Sequence, residues 1–223
     1  MYKNIKKIAC KRHLTFTIIF SVLIAIQLIS IAVVFITGSN VSLSYTLVYI
    51  GVLFILAAWQ FSKYQNVSKS NAGKMLAKYY PERDLDDVFK QLEFELEVPQ
   101  YETKQLVVTQ HFVVGHVGAF RKNVVIPCEV IAGIYTCHEM RRGRSNADFY
   151  EVIIIDSNLK NKVLQLKNND QMLDAAFEIK NICPNANSGT YEDFLEFGRL
   201  PKNKREEIVY RIAKTNKDQS LDV

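Results

Sequence analysis

The chain has 223 residues, with 28 Lys and Arg against 23 Asp and Glu, for a formal net charge of +5. That length leaves room for about one ordinary domain beside any membrane segment. Nine of the basic residues and none of the acids precede Glu82, so the first 81 residues carry +9 and the rest −4. The positive balance is therefore a topology and anionic-lipid signal, and it argues against a nucleic-acid partner.

A basic leader (1–13), with Lys3, Lys6, Lys7, Lys11 and Arg12, precedes an uncharged run from Leu14 to Phe61. The run divides at Gly38-Ser39-Asn40 into spans 14–37 and 41–61, and each approaches the about 20 residues a helix needs to cross about 30 Å of hydrocarbon. The three dividing residues suit a tight turn, so a two-helix transmembrane hairpin is predicted. A cleaved signal peptide is disfavoured, because the first apolar stretch exceeds an h-region of about 7 to 15 residues and a second span follows directly.

Basic residues lie in the leader and again at Lys63, Lys69, Lys74 and Lys78, with none in the turn, which predicts a cell-membrane protein with both termini cytoplasmic. Tyr45, Trp59 and Tyr64 fit interfacial anchors. Gln27 is expected to bond the second helix or a partner helix, while Ala25, Ala32, Gly51 and Ala58 offer small faces for close packing. Two spans without a charged residue do not make an ion pathway on their own.

Residues 62–81 read as a partly helical juxtamembrane connector whose lysines sit over anionic headgroups. The domain that follows (82–190) opens with an amphipathic helix carrying Leu85, Val88, Phe89, Leu92 and Leu96 on one face, with acidic residues in its first turn and Pro99 as a stop. Strand-forming stretches follow at 105–120, 123–126, 130–138, 149–156 and 162–167, separated by turn residues. A helix over 169–183, with Met172, Ala176, Ile179 and Cys183 on one face, ends at Pro184. Five or more antiparallel strands capped by a helix make a small α+β roll. Residues 191–223 read as two short surface helices, 191–198 and 201–214, and a disordered tail over 215–223.

The succession LVVTQHFVV, GAFRKNVVIPCEVIAGIY, a strand pair, KVLQL and a closing amphipathic helix resembles the bacterial pleckstrin-homology-like domains attached to paired membrane helices. The Val125-Ile126-Pro127 segment with Glu129 to Ile131 carries much of that resemblance, and ICPNANSGTYEDFL (182–195) is similar to the tail of small membrane proteins of this type. The likeness covers Leu106 to Leu195. It implies an α+β fold, a two-helix transmembrane hairpin followed by a pleckstrin-homology-like antiparallel β roll with flanking helices, and it transfers no catalytic residue.

The residues themselves offer little chemistry. His111, His116, Cys128, Cys137 and His138 include zinc-ligand types, but no C-x-x-C or H-x-x-x-H spacing occurs, so neither a metal nor a cofactor is expected. The cysteines are expected as free thiols, with Cys10 a palmitoylation candidate beside the first span. No nucleophile elbow or phosphate loop is present, which disfavours an enzyme.

The strongest binding candidate is MRRGRSNAD (140–148), which puts Arg141, Arg142 and Arg144 on one hairpin, with Lys160 and Lys162 on the next turn. Clustered guanidinium groups suit phosphate or carboxylate partners, and the competing reading is a solvated hairpin tip. The exposed edge of the roll is a second candidate, for a peptide strand. The expectation is a membrane-anchored binding module, a scaffold or accessory subunit engaging a protein partner. The alternative is a sensor of an anionic lipid headgroup or small ligand through the basic loop. Membrane lipids, a membrane-protein partner or a second copy of the chain are the expected associates.

Overall fold

The computed structural model describes residues 3–9, 11–37, 43–117, 122–141 and 147–220. It divides into two compact units, Met1–Ser70 and Asn71–Val223.

The first unit contains α1 (Lys3–Ala9), α2 (Lys11–Thr37), α3 (Leu43–Gln65) and a 3-10 turn at Val67–Lys69. Two stretches are long and apolar enough to span a membrane, His13–Val34 with mean hydropathy 2.7 and Tyr45–Gln65 with 1.6. The predicted turn at Gly38-Ser39-Asn40 lies outside the described residues, as does Cys10. The second helix continues past Phe61 because no breaker intervenes before Asn66, whose N–H still reaches the Ser62 carbonyl at 3.1 Å.

Where α3 packs along α2, Leu53 and Ala57 are buried. The small residues Ala25 and Ala32 on α2 and Gly51 and Ala58 on α3 are exposed, outside the contact of α2 with α3. Nor does Gln27 bond across the pair. Its place is taken by His13 Nδ1 and Gln60 Oε1, 2.8 Å apart near the other end of the helices.

The second unit begins with α4 (Asn71–Tyr79) and α5 (Leu85–Glu95). Asp84 caps α5 by accepting from the Asp86 N–H at 2.9 Å, as the acidic first turn predicts. The strands β1 (Tyr101–Glu102), β2 (Leu106–Val108), β3 (Phe112–Val117), β4 (Lys122–Pro127), β5 (Ile131–Arg141), β6 (Ala147–Asp156) and β7 (Asn161–Leu166) follow. After them come α6 (Asn169–Ile182), β8 (Asn187–Gly189), α7 (Tyr191–Arg199) and α8 (Lys202–Ser220).

The strands form one sheet in the order β1-β2-β3-β7-β6-β5-β8, with β4 on the other edge of β3. All pairings are antiparallel except β8, which runs parallel to β5. The predicted stretch 105–120 is not one strand. Its backbone reverses at Thr109, whose hydroxyl accepts from the Phe112 N–H at 3.1 Å and whose own N–H reaches the Phe112 carbonyl at 2.9 Å. The returning β3 leaves β2 at Gly115 and meets β7 at Val117, opposite Leu164. A Cβ on Gly115 would stand 2.9 Å from Leu164 Cδ2, which explains a glycine at that crossing.

The sheet is buried on both faces. Leu106, Val113, Val124, Ile134, Ile154 and Leu164 pack with Met172, Ala175 and Ile179 of α6 into the main core. The alternate residues of β5 and β6, Tyr135, Cys137, Ile153 and Ile155, form a second layer against Phe194 and Phe197 of α7. A bulge after Ile131 turns Ala132 out of register and onto Val209 and Ile212 of α8. The two C-terminal helices therefore cover a sheet face. Residues 215–220, expected to be disordered, continue α8 and hold a buried Asn216 that donates to the Ile131 carbonyl at 3.1 Å.

Candidate functional site

A groove of about 520 Å³ lies in the second unit. One wall comes from the α4–α5 connection, where Arg83 stands 5.0 Å over the Tyr80 ring. Burial, and then the negative charge of Glu129, push the Tyr80 hydroxyl well above the ordinary tyrosine range. Gln91 of α5 and Gln110 and His111 of the β2–β3 turn form another wall, and Asn181 stands at the end of α6.

His111 is held in place by Glu95, the last residue of α5. Its ring Nδ1 lies 2.6 Å from Glu95 Oε1, and its main-chain N–H donates to Oε2 at 2.9 Å. The same carboxylate accepts from the Thr109 hydroxyl at 2.7 Å and from Gln91 Nε2 at 3.0 Å. A carboxylate facing Nδ1 places the proton on that nitrogen, which leaves Nε2 as the free nitrogen of an oriented imidazole. Cys128 also lines the groove, but burial, with Cys183 beside it, pushes its thiol up and removes it as a nucleophile at neutral pH. The constellation thus offers a fixed imidazole, a guanidinium and several amides, which is equipment for recognition of a polar, partly anionic ligand.

Of the basic residues singled out in the sequence, the backbone of Arg141 and the two lysines are described, and they lie at opposite ends of β6. Arg141 ends β5 opposite Ala147, while Arg142 and Arg144 lie outside the described residues. Lys160 ends the turn between β6 and β7 and Lys162 lies at the start of β7, at the other end of β6, where Ile131 pairs with Asp156. Ten residues of strand separate the two ends, about 30 Å at about 3.3 Å per residue.

At that second end Asp156 is 1% exposed and saturated with donors. Its Oδ1 accepts from the Asn158 and Lys160 N–H groups, each at 2.9 Å, and its Oδ2 accepts from the Tyr79 hydroxyl at 2.8 Å, with Lys162 Nζ at 3.9 Å. The turn is tight enough to force Leu159 to a φ of 57°, a conformation a leucine adopts only where its surroundings impose it. Lys78 of α4 comes against Lys160, and that contact and its like charge hold the Lys78 ammonium below the ordinary lysine range.

Among the described residues no group of three or more His, Cys, Asp and Glu is arranged to hold a metal ion. His138 stacks on Tyr150 with ring centres 4.7 Å apart, Cys137 and Cys183 are buried free thiols, and the His116 side chain lies outside the described residues. The groove was missed in the sequence because Glu95 and His111 sit on a helix end and a strand turn, a pairing with no fixed spacing. Only the capacity of Thr109 to end a strand pointed there. Compared with known proteins, the chain matches no family model, no curated protein and no solved structure.

Proposed function

We propose that the chain is a membrane-anchored binding module, a scaffold or accessory subunit that holds an extended segment of a protein partner in the Arg83–His111 groove. The observation that carries this reading is the groove wall. Gln100, Gln110 and Asn181 are exposed there, and a side-chain amide both donates and accepts, as a peptide main chain does. Arg83 adds a cation suited to an acidic side chain of the bound segment. The sheet edges at β1 and β8 are weaker sites for an added strand, since β1 has two residues and β8 three.

In this proposal α2 and α3 form the anchor in a cell membrane, and the second unit is a pleckstrin-homology-like roll at the cytoplasmic face. Exposed apolar side chains such as Ile29 (65%) and Phe54 (66%) support the anchor, as an aqueous surface would not retain them in such number. Lys63 Nζ, 3.5 Å over the Trp59 ring near the end of α3, supports a headgroup-level position for that end.

The test places a photo-crosslinking amino acid at Gln110 of the full chain in its native membrane, followed by mass spectrometry. A stoichiometric partner crosslinked through an acidic segment, and lost with Arg83→Gln, is the expected result. Crosslinks only to lipid, or to a second copy of the chain, would overturn the reading.

A further inference from the structure

The lysines at the β6–β7 end of the second unit form a surface separate from the groove. Lys74 and Lys78 lie four residues apart on α4, both exposed, and so share one helix face. Lys160, also exposed, ends the neighbouring turn, which Asp156 ties to α4 through the Lys160 N–H and the Tyr79 hydroxyl.

Ammonium groups gathered on one face repel, and an anion placed among them relieves that repulsion. The local carboxylate offsets this only in part. Asp156 is buried, both of its oxygens are occupied, and the lysine it faces is Lys162, whose side chain is only 18% exposed. Its bonds to Tyr79 and to the Lys160 N–H fix α4 and the turn to each other, and so bring the lysines of both elements to one end of the unit. From this arrangement we infer that Lys74, Lys78 and Lys160 form a docking face for the phosphate headgroups of an anionic lipid surface.

Chain reach favours lipid over a soluble phosphate. Residues 66–73 alone separate the apolar helix α3 from Lys74, so even fully extended the chain holds that lysine within about 32 Å of the helix end. This inference stands apart from the groove reading, since neither Arg83 nor His111 takes part.

The test uses the full chain in nanodiscs of phosphatidylcholine, with and without phosphatidylglycerol, and follows acetylation of individual lysines by mass spectrometry. Lys74, Lys78 and Lys160 are expected to react about fivefold more slowly in the anionic discs, while the exposed Lys104 and Lys204 keep their rates. Salt near about 1 M, where screening acts over about 3 Å, should abolish the difference. With Lys78→Gln and Lys160→Gln together, Lys74 should lose its protection. Equal rates in the two kinds of disc would overturn the inference. Equal protection by inorganic phosphate in neutral discs would overturn the lipid assignment and give the site to a free phosphate.

Discussion

Asp156 joins three parts of the second unit through one carboxylate, the β6–β7 turn by two N–H groups, α4 by the Tyr79 hydroxyl and β7 by Lys162. Asp156→Ala would leave those donors unpaired in a place water does not reach, at a cost of about 3 kcal/mol. Tyr79→Phe removes one bond and keeps the ring, for about 1 kcal/mol. Urea midpoints of the detergent-solubilised chain, followed by circular dichroism, should fall in that order. A midpoint unchanged by Asp156→Ala would show that the turn is held by other contacts.

The same residues set an alkaline limit. Burial and a carboxylate neighbour raise the pKa of both Tyr79 and Tyr80, so the folded protein keeps these protons to higher pH than the unfolded chain. Their stabilising contribution is complete below pH about 10, the ordinary tyrosine value, and is lost as pH rises from there through the folded-state values. Lys78, lowered by Lys160, acts in the opposite sense. The tyrosine part is isolated by comparing the parent with a Tyr79→Phe, Tyr80→Phe variant, whose stability should fall less steeply above pH about 10.

At the level of elements, β6 tells most about the fold. Val152-Ile153-Ile154-Ile155 is a run without alternation, and such a run marks a strand buried on both sides. Ile154 enters the main core and Ile155 the layer under α7, at 0% and 2% exposure. Ile154→Ala and Ile155→Ala should therefore each cost about 3 kcal/mol, although a strand with one wet face would suffer from only one of them. Comparable falls in the urea midpoint are expected.

The strand was legible in its composition, as were α5 and α6 in their periodicity and stops. What covers its second face was not. α7 contributes only Phe194 and Phe197, both partly buried, and α8 is so rich in charge that its contacts through Val209 and Ile212 do not stand out. The groove was less legible still, because the bond from Glu95 to His111 depends on where α5 ends relative to a turn that Thr109 creates. Small residues at regular spacing show where a helix permits close approach, and the contact of α3 with α2 uses Ala57 while leaving Gly51 and Ala58 exposed.

For the whole molecule, the division into two units coincides with a division of charge. The apolar helices lie among basic residues, and every acid belongs to the second unit, which begins at Asn71. Such segregation orients a hairpin, because Lys and Arg near span ends are retained on the cytoplasmic side while acids contribute little. An even number of spans puts both termini on one side whatever the charges, and the charges then choose the side. Fluorescent-protein fusions at either terminus should therefore be bright, and alkaline phosphatase fusions at the same positions inactive. Termini reporting from opposite sides would refute the two-span hairpin, whereas both reporting from outside would keep the hairpin and refute the charge argument. The second outcome would also deny the groove and the lysine face any cytoplasmic partner, so this measurement comes before either of the tests that depend on it.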